Sequence, residues 1–247
     1  MRAWYLGLKF AFSYFTVLPV KFSTSDDLST KPVLGSMLFF FPLVGLVLGL
    51  LTIGLYTMLE PLGWYVSIIA AVAYMMLYGF LHLEAVIDVA DAVYASHSGK
   101  DAYSIIKDPT VGAMGVLYAM ATMLLKVAGI TYLLLHGFLW ELVAILVISR
   151  LSLLLLFYVH DFRSSFTTQL KESLSKTIML SSFALFSLLC MLLVSNFSVL
   201  LLSGLLLALG ISYRLKKKLG FINGDVMGYT LESVETLLFI MVAALWL

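Results

Sequence analysis

The run Phe138–Val159, FLWELVAILVISRLSLLLLFYV, decides the fold. It carries two charges, Glu141 at its start and Arg150 in its middle. A stretch of this length and polarity crosses a bilayer as a helix, because about 20 apolar residues span the hydrocarbon core. A cation at that depth is costly. Arg150 must therefore face the inside of a helix bundle and meet an acid or an anionic ligand.

Similar runs lie near 34–58, 64–83, 113–135, 177–195, 197–213 and 230–247. The 247 residues are 62% hydrophobic and only 12% charged, whereas a soluble domain is nearer half apolar and a quarter charged. The runs are long and continuous, unlike the short alternating segments of a barrel. The reading is an all-α, polytopic helical membrane protein with about seven transmembrane helices, organised as one integral-membrane domain over 1–247. Segment 4–18, broken by Lys9, reads as a further span or as a helix lying in the interface. The N-terminal stretch MRAWYLGLKFAFSYFTVLPV ends in Pro rather than a small-x-small site, so it reads as retained and not as a cleaved signal peptide. A formal charge of +1, from 15 basic against 14 acidic residues, gives no reason to expect a nucleic-acid partner. Cys190, the single cysteine, sits in an apolar run as a packing residue. His97, His136 and His160 are scattered without metal-ligand spacing.

The loops sort by charge. Lys21 and Lys31 lie in 19–32, and Lys100 and Lys107 in 97–112. Arg163, Lys171 and Lys176 lie in 160–176, and Arg214, Lys216, Lys217 and Lys218 in 213–220. The connections around Glu60–Trp64, His136–Glu141 and Ser195–Ser198 carry no Lys or Arg. The two sets alternate, so the basic loops are expected in the cytoplasm and the C-terminus outside.

Acids then stand out. LHLEAVIDVADAV, Leu81–Val93, places Glu84, Asp88 and Asp91 at i, i+4 and i+7. On a helix at about 100° per residue that is one stripe, expected at the cytoplasmic end of the span from 64. His82 points roughly the other way. Three carboxylates on one face need a positive partner. Salt bridges to basic loops are the plain alternative, and a hard divalent cation such as Mg²⁺ is the other. A second group, Asp225, Glu232 and Glu235 in GFINGDVMGYTLESVETLLF, also lies at a basic helix end. The two groups are expected to meet across one cavity. Gly220, Gly224 and Gly228 suit a turn that approaches a ligand, or a plain loop before a helix. Between them, SIIKDPTVGAMG offers Lys107 for phosphate and Asp108 for metal, or simply a solvated pair. Lys126, in MATMLLKVAGI, repeats the problem of Arg150. Each is expected to bind an anionic ligand or to pair with one of the six acids. No GxxxxGK[ST], Ser-His-Asp or HExxH signal is present. Acids for a metal, cations for phosphate and a cytoplasm-facing cavity suit Mg²⁺-assisted phosphoryl transfer.

These motifs resemble the cobalamin synthase (adenosylcobinamide-GDP ribazoletransferase) family. The family pattern G-x-x-H-L-D-G-L-A-D-T-x-D-G is similar to Gly79-Phe-Leu-His82-Leu-Glu84-Ala-Val-Ile-Asp88-Val-Ala-Asp91-Ala. Its I-M-K/R-D-S-R-x-G-x-x-G is matched by Ile105-Ile-Lys107-Asp108-Pro-Thr-Val-Gly112-Ala-Met-Gly115. Lys126, Ser149-Arg150, Leu18-Pro19-Val20 and Phe40–Gly49 also match. So does Gly224-Asp225-Val-Met-Gly228-Tyr-Thr-Leu-Glu232-Ser-Val-Glu235. Glu84 stands where the family has Asp. Ala85 and Ala92 replace glycines, Ile87 replaces a small residue, and Pro109-Thr110 replaces Ser-Arg.

The resemblance implies a multi-pass enzyme of a bacterial or archaeal inner membrane, with its site facing the cytoplasm. It would transfer the adenosylcobinamide phosphoryl group from adenosylcobinamide-GDP to alpha-ribazole or its 5′-phosphate, releasing GMP, with Mg²⁺ as cofactor. The implied catalytic residues are Asp88, Asp91, Asp225 and Glu232. Those implied for substrate are His82, Lys107, Asp108, Lys126 and Arg150. The implied metal ligands are Glu84, Asp88, Asp91, Asp225, Glu232 and Glu235. Beyond substrates and bilayer, a homo-oligomer or a complex with other cobalamin-assembly enzymes is compatible with the resemblance. A CDP-alcohol-type phosphotransferase would need D-x-x-D-G-x-x-A-R, which is absent. A transporter would place its acids near mid-bilayer.

Overall fold

The computed structural model describes residues 1–96, 99 and 101–246. His97 and Lys100, named above, lie outside the described residues. Among the described residues there are helices and turns and no strand.

The run that decided the fold forms α8, Leu139–Val159. Every residue from Leu142 to Leu154 is buried. A helix that is apolar all round belongs inside a bundle. Around it pack α3 (Phe41–Met58), α11 (Phe197–Leu219) and α12 (Gly224–Leu245). Beyond these, α7 (Ala113–Leu135) packs on α12 and on α4 (Tyr65–Leu77). These five longer helices, α3, α7, α8, α11 and α12, are long and apolar enough to cross a membrane, and two bent pairs bring the number to as many as seven.

The boundaries differ from expectation where local chemistry intervenes. Segment 34–58 is not one helix. It splits at Phe40 into α2 (Lys31–Phe39) and α3, because Pro42 in the first turn of α3 has no N–H to give to the helix before it. Segment 64–83 ends at Leu77. Gly79 (φ 64°) and Phe80 (φ 55°) turn the chain through the left-handed region. The acidic stretch then starts its own helix, α5 (Leu81–Ala95), bent by 79° from α4. The acids therefore lie on a separate helix, not at the end of a straight span. A short α6 (Ala102–Ile106) follows. Segment 177–195 is shorter than expected. It forms α10 (Lys176–Met191), bent by 80° from α9 (Ser165–Ser173). The basic cluster at 213–220 is not a loop. It forms the last turns of α11, where cations oppose the negative end of the helix dipole. α12 begins at Gly224, six residues before 230, because the Asn223 side chain caps it by accepting from Val226 N at 3.0 Å.

The N-terminal segment forms α1 (Arg2–Phe15), 14 residues long. That is too short for a span. It lies against α2, with the Ser36 hydroxyl donating to Ala3 O at 2.8 Å. Of the two alternatives, its length supports the interfacial one.

The basic segments meet at one end. Lys31 pairs with Glu172 at 3.1 Å. Arg163 N donates to Ile222 O at 2.8 Å, and its guanidinium lies 4.0 Å from the Tyr103 ring centre. Lys107 reaches Asp225 at 3.9 Å.

Candidate active site

α5 and α12 pack closely, with Ala85 against Gly228, where a Cβ would stand 2.8 Å from that of Ala85. This brings together acids from two distant motifs. Asp225, in the first turn of α12, is the charge that acts most strongly on Asp88 of α5, followed by Glu84. Asp88 and Asp225 are partly buried and Glu84 is exposed. Positive charge there is thin. Lys107 stands 3.9 Å from Asp225 and is itself largely exposed, so this pair contributes little on its own. Asn223 Nδ2 donates to Asp225 Oδ2 at 2.7 Å and fixes that carboxylate.

A cavity of about 280 Å³ opens at this point. Its polar wall holds His82, Lys107, Ser164, Thr167, Asn223 and Asp225. Its other wall is aromatic, with Tyr14, Phe15, Phe41, Phe157 and Phe166. The Tyr14 and Phe166 rings lie 5.4 Å apart, and Phe15 and Phe41 lie 4.3 Å apart. Burial, then the Asp225 charge, pushes the Tyr14 phenol above its ordinary pKa, so it remains a donor. One wall thus suits anions and their counter-ions, and the other suits a flat ring.

Asp91 turns elsewhere. Its two oxygens accept from Gly112 N and Gly115 N, each at 2.7 Å. These amides open α7, where a carboxylate also meets the positive end of the helix dipole. The two glycines of the GAMG stretch are there because the carboxylate needs the space. A Cβ at Gly115 would stand 2.6 Å from Ile87 O and would collide with Asp91. Gly115→Ala should therefore lower stability by about 1–3 kcal/mol, read as a drop in the thermal unfolding midpoint. Gly210→Ala, where a Cβ meets open space, should not lower it. Equal midpoints for both variants would refute this account of Gly115.

Glu232 and Glu235 lie deeper. Asp225 and Glu232 share a helical face, but seven residues of rise separate them by about 10 Å. Both glutamates are fully buried, and so are Lys126 and Arg150. Lys126 bonds Glu232 and, at 2.7 Å, Glu235. Arg150 bonds Glu235 Oε1. Ser149 donates to Oε1 at 2.9 Å and Tyr74 to Oε2 at 2.8 Å. Glu235 thus accepts four hydrogen bonds, the full capacity of a carboxylate, which leaves no lone pair for a metal. Glu232 has the buried Tyr78 hydroxyl as a further polar neighbour. The two cations and two acids cancel, which is the ion-pair alternative for Lys126 and Arg150. None of the four lines the cavity.

Asp108 closes a turn by accepting from Thr110 N at 2.9 Å and Thr110 Oγ1 at 2.6 Å, and it does not line the cavity. The expected set is thereby divided. Asp225, His82 and Lys107 line the cavity, while Asp88 and Glu84 do not line it and bear on it through their charge beside Asp225. Asp91 caps a helix, and Glu232, Glu235, Lys126 and Arg150 brace the interior. Sequence reasoning missed Asn223, Tyr14, Phe166 and Thr167. Asn223 was legible as an N-cap residue one position before Gly-Asp. The aromatic wall had no local signal.

Among the described residues no three His, Cys, Asp or Glu side chains close a metal cage by themselves. Mg²⁺ does not ask for one. It is ordinarily held by one or two carboxylates, and it completes its shell with water and substrate phosphate. The hard oxygens of Asp88 and Asp225, short of positive charge, fit such an ion.

Comparison with known proteins agrees with the motif pattern. The profile of the family described as cobalamin-5-phosphate synthase matches residues 7–243. An adenosylcobinamide-GDP ribazoletransferase of Clostridium perfringens (strain SM101 / Type A) is 29% identical over 245 residues, covering 95% of this chain and 96% of its own. A protein of the same name from Brevibacillus brevis is 30% identical over 244 residues, covering 96% and 97%. One from Chlorobaculum parvum is 30% identical over 250 residues, covering 98% and 96%. No solved structure matches the chain. With a family match over nearly its whole length and relatives aligned end to end, this multi-pass membrane chain belongs to the cobalamin-5-phosphate synthase family.

Proposed function

We propose that the chain transfers the adenosylcobinamide phosphoryl group from adenosylcobinamide-GDP to alpha-ribazole or its 5′-phosphate and releases GMP. The observation that carries this reading is an aromatic-walled cavity lined by Asp225 and Lys107, with Asp88 of α5 near enough for its charge and that of Asp225 to act on each other. The ribose 3′-hydroxyl of the acceptor attacks the phosphorus next to cobinamide. A P–O bond forms to the acceptor, and the bridging bond to GMP breaks. A carboxylate, Asp225 in the cavity wall or Asp88 beside it, takes the hydroxyl proton. Lys107 binds a phosphate oxygen. The Asn223 bond orients Asp225. The Tyr14 and Phe166 rings take one face of the acceptor's aromatic base, and the wall excludes water from it. Asp88 and Asp225 would hold Mg²⁺, which supplies charge neutralisation of the pyrophosphate when bound.

The site belongs at the cytoplasmic face of the inner membrane. Support comes from the basic segments, which gather at the end that carries the cavity. One experiment tests both parts. Inside-out membrane vesicles should release GMP from adenosylcobinamide-GDP and alpha-ribazole phosphate with added Mg²⁺, and a chelator should stop it. Intact right-side-out vesicles should release none. Silence from both, beside an active relative, would refute the activity. Release from right-side-out vesicles alone would refute the orientation.

A further inference from the structure

A second recess, of about 400 Å³, lies between α5, α7, α11 and α12. It uses Val89, Tyr229 and Ser233, which do not line the candidate active site. It runs on into a cleft of about 530 Å³, with which it shares Ile211, Arg214 and Leu237. Together they make one groove along the seam of α11 and α12. From Arg214 to Ser203, at its far end, α11 rises about 16 Å. That is the depth of one leaflet, half of a hydrocarbon core of about 30 Å.

The head of the groove is cationic. Arg214 and Lys218, one helical turn apart, both line it. Neither makes an ion pair among the described residues. Tyr94 and Tyr118, whose hydroxyls are 3.0 Å apart, stand beside them. Tyrosines of this kind belong at headgroup level. The tail is apolar and open. Leu206 is exposed, and a Cβ at Gly210 would touch nothing. Two unpaired cations above a leaflet-deep apolar channel complement a ligand with a net negative phosphate head and a long hydrocarbon chain. A zwitterionic lipid brings its own cation and so leaves the net positive charge here undiminished, whereas an anionic lipid halves it.

We propose that this groove binds one anionic phospholipid, its phosphate between Arg214 and Lys218 and one acyl chain along Gly210 and Leu237. The test is native mass spectrometry of the full chain in detergent, given equal amounts of phosphatidylglycerol and phosphatidylcholine. One phosphatidylglycerol per chain should be retained in preference. Arg214→Gln with Lys218→Gln should reduce its retention about tenfold or more, the scale of two cations at a membrane surface. Lys216→Gln with Lys217→Gln removes the same charge outside the groove and should leave retention unchanged. Gly210→Leu keeps the cations and fills the channel, so it should also weaken retention. It keeps the test decisive if the double cation variant fails to fold. Equal retention of both lipids, or equal loss from both cation pairs, would overturn the proposal. So would displacement of the lipid by millimolar inorganic phosphate, which would reassign the cations to a free phosphate.

Discussion

Asp88→Asn and Asp225→Asn each reduce GMP release by about 10²-fold or more, while the protein inserts and folds as before. The charges of Asp225 and Glu84 act on Asp88 with the same sign, and Lys107, largely exposed, is the cation that opposes them. Either variant removes one of the like charges, so repulsion falls. The thermal midpoint should hold or rise in Asp88→Asn. Asp225→Asn gives up a favourable place at the start of α12 and should cost no more than about 1 kcal/mol. A variant that is inactive but little less stable is the signature of a charge kept for chemistry. Turnover near the parent level in either variant would take that residue out of the site. A large loss of midpoint would mean that the carboxylate serves the fold instead. Asn223→Ala should act more mildly through Asp225, because it frees the carboxylate and also removes the α12 cap.

Glu235→Gln has the opposite signature. It leaves Lys126 and Arg150, both fully buried, with one acid between them. Removing one partner of a buried ion pair costs about 3–5 kcal/mol, because the charge left behind stays desolvated. The folded yield and the unfolding midpoint should both fall sharply. Combining Glu235→Gln with Arg150→Met removes a charge of each sign, so the double variant should be more stable than the sum of the singles predicts. Strict additivity in that cycle would show that the ion pair is not what holds these helices together.

The sequence alone reached the class of fold. That rests on a property that local pattern records, the unbroken apolar run. The sequence left an anionic ligand and an acid both open for Lys126 and Arg150, which the structure pairs with Glu232 and Glu235. It did not reach depth along a helix. Asp225 and Glu232 share a face by angle, and only the rise per residue puts one at the mouth and the other in the interior. The bend after Leu77 was hidden too. Gly79 alone signals a turn weakly, and Phe80 is a poor candidate for the left-handed conformation it adopts. Asp91 read as a third member of the acidic stripe, because the amides that claim it come from another helix. Tyr14 and Phe166 meet across 152 residues of chain, a separation no periodicity spans.

The buried network also orders events during synthesis. A chain made from its N-terminus brings Lys126 and then Arg150 to the membrane before Glu232 and Glu235 exist to neutralise them. Until α12 emerges, both cations must be tolerated by water, by headgroups or by the insertion machinery. The earlier helices can enter the bilayer singly, but they cannot settle into their final packing. The last helix delivers Asp225 to the site and, in the same step, the two glutamates that let the bundle close around α8.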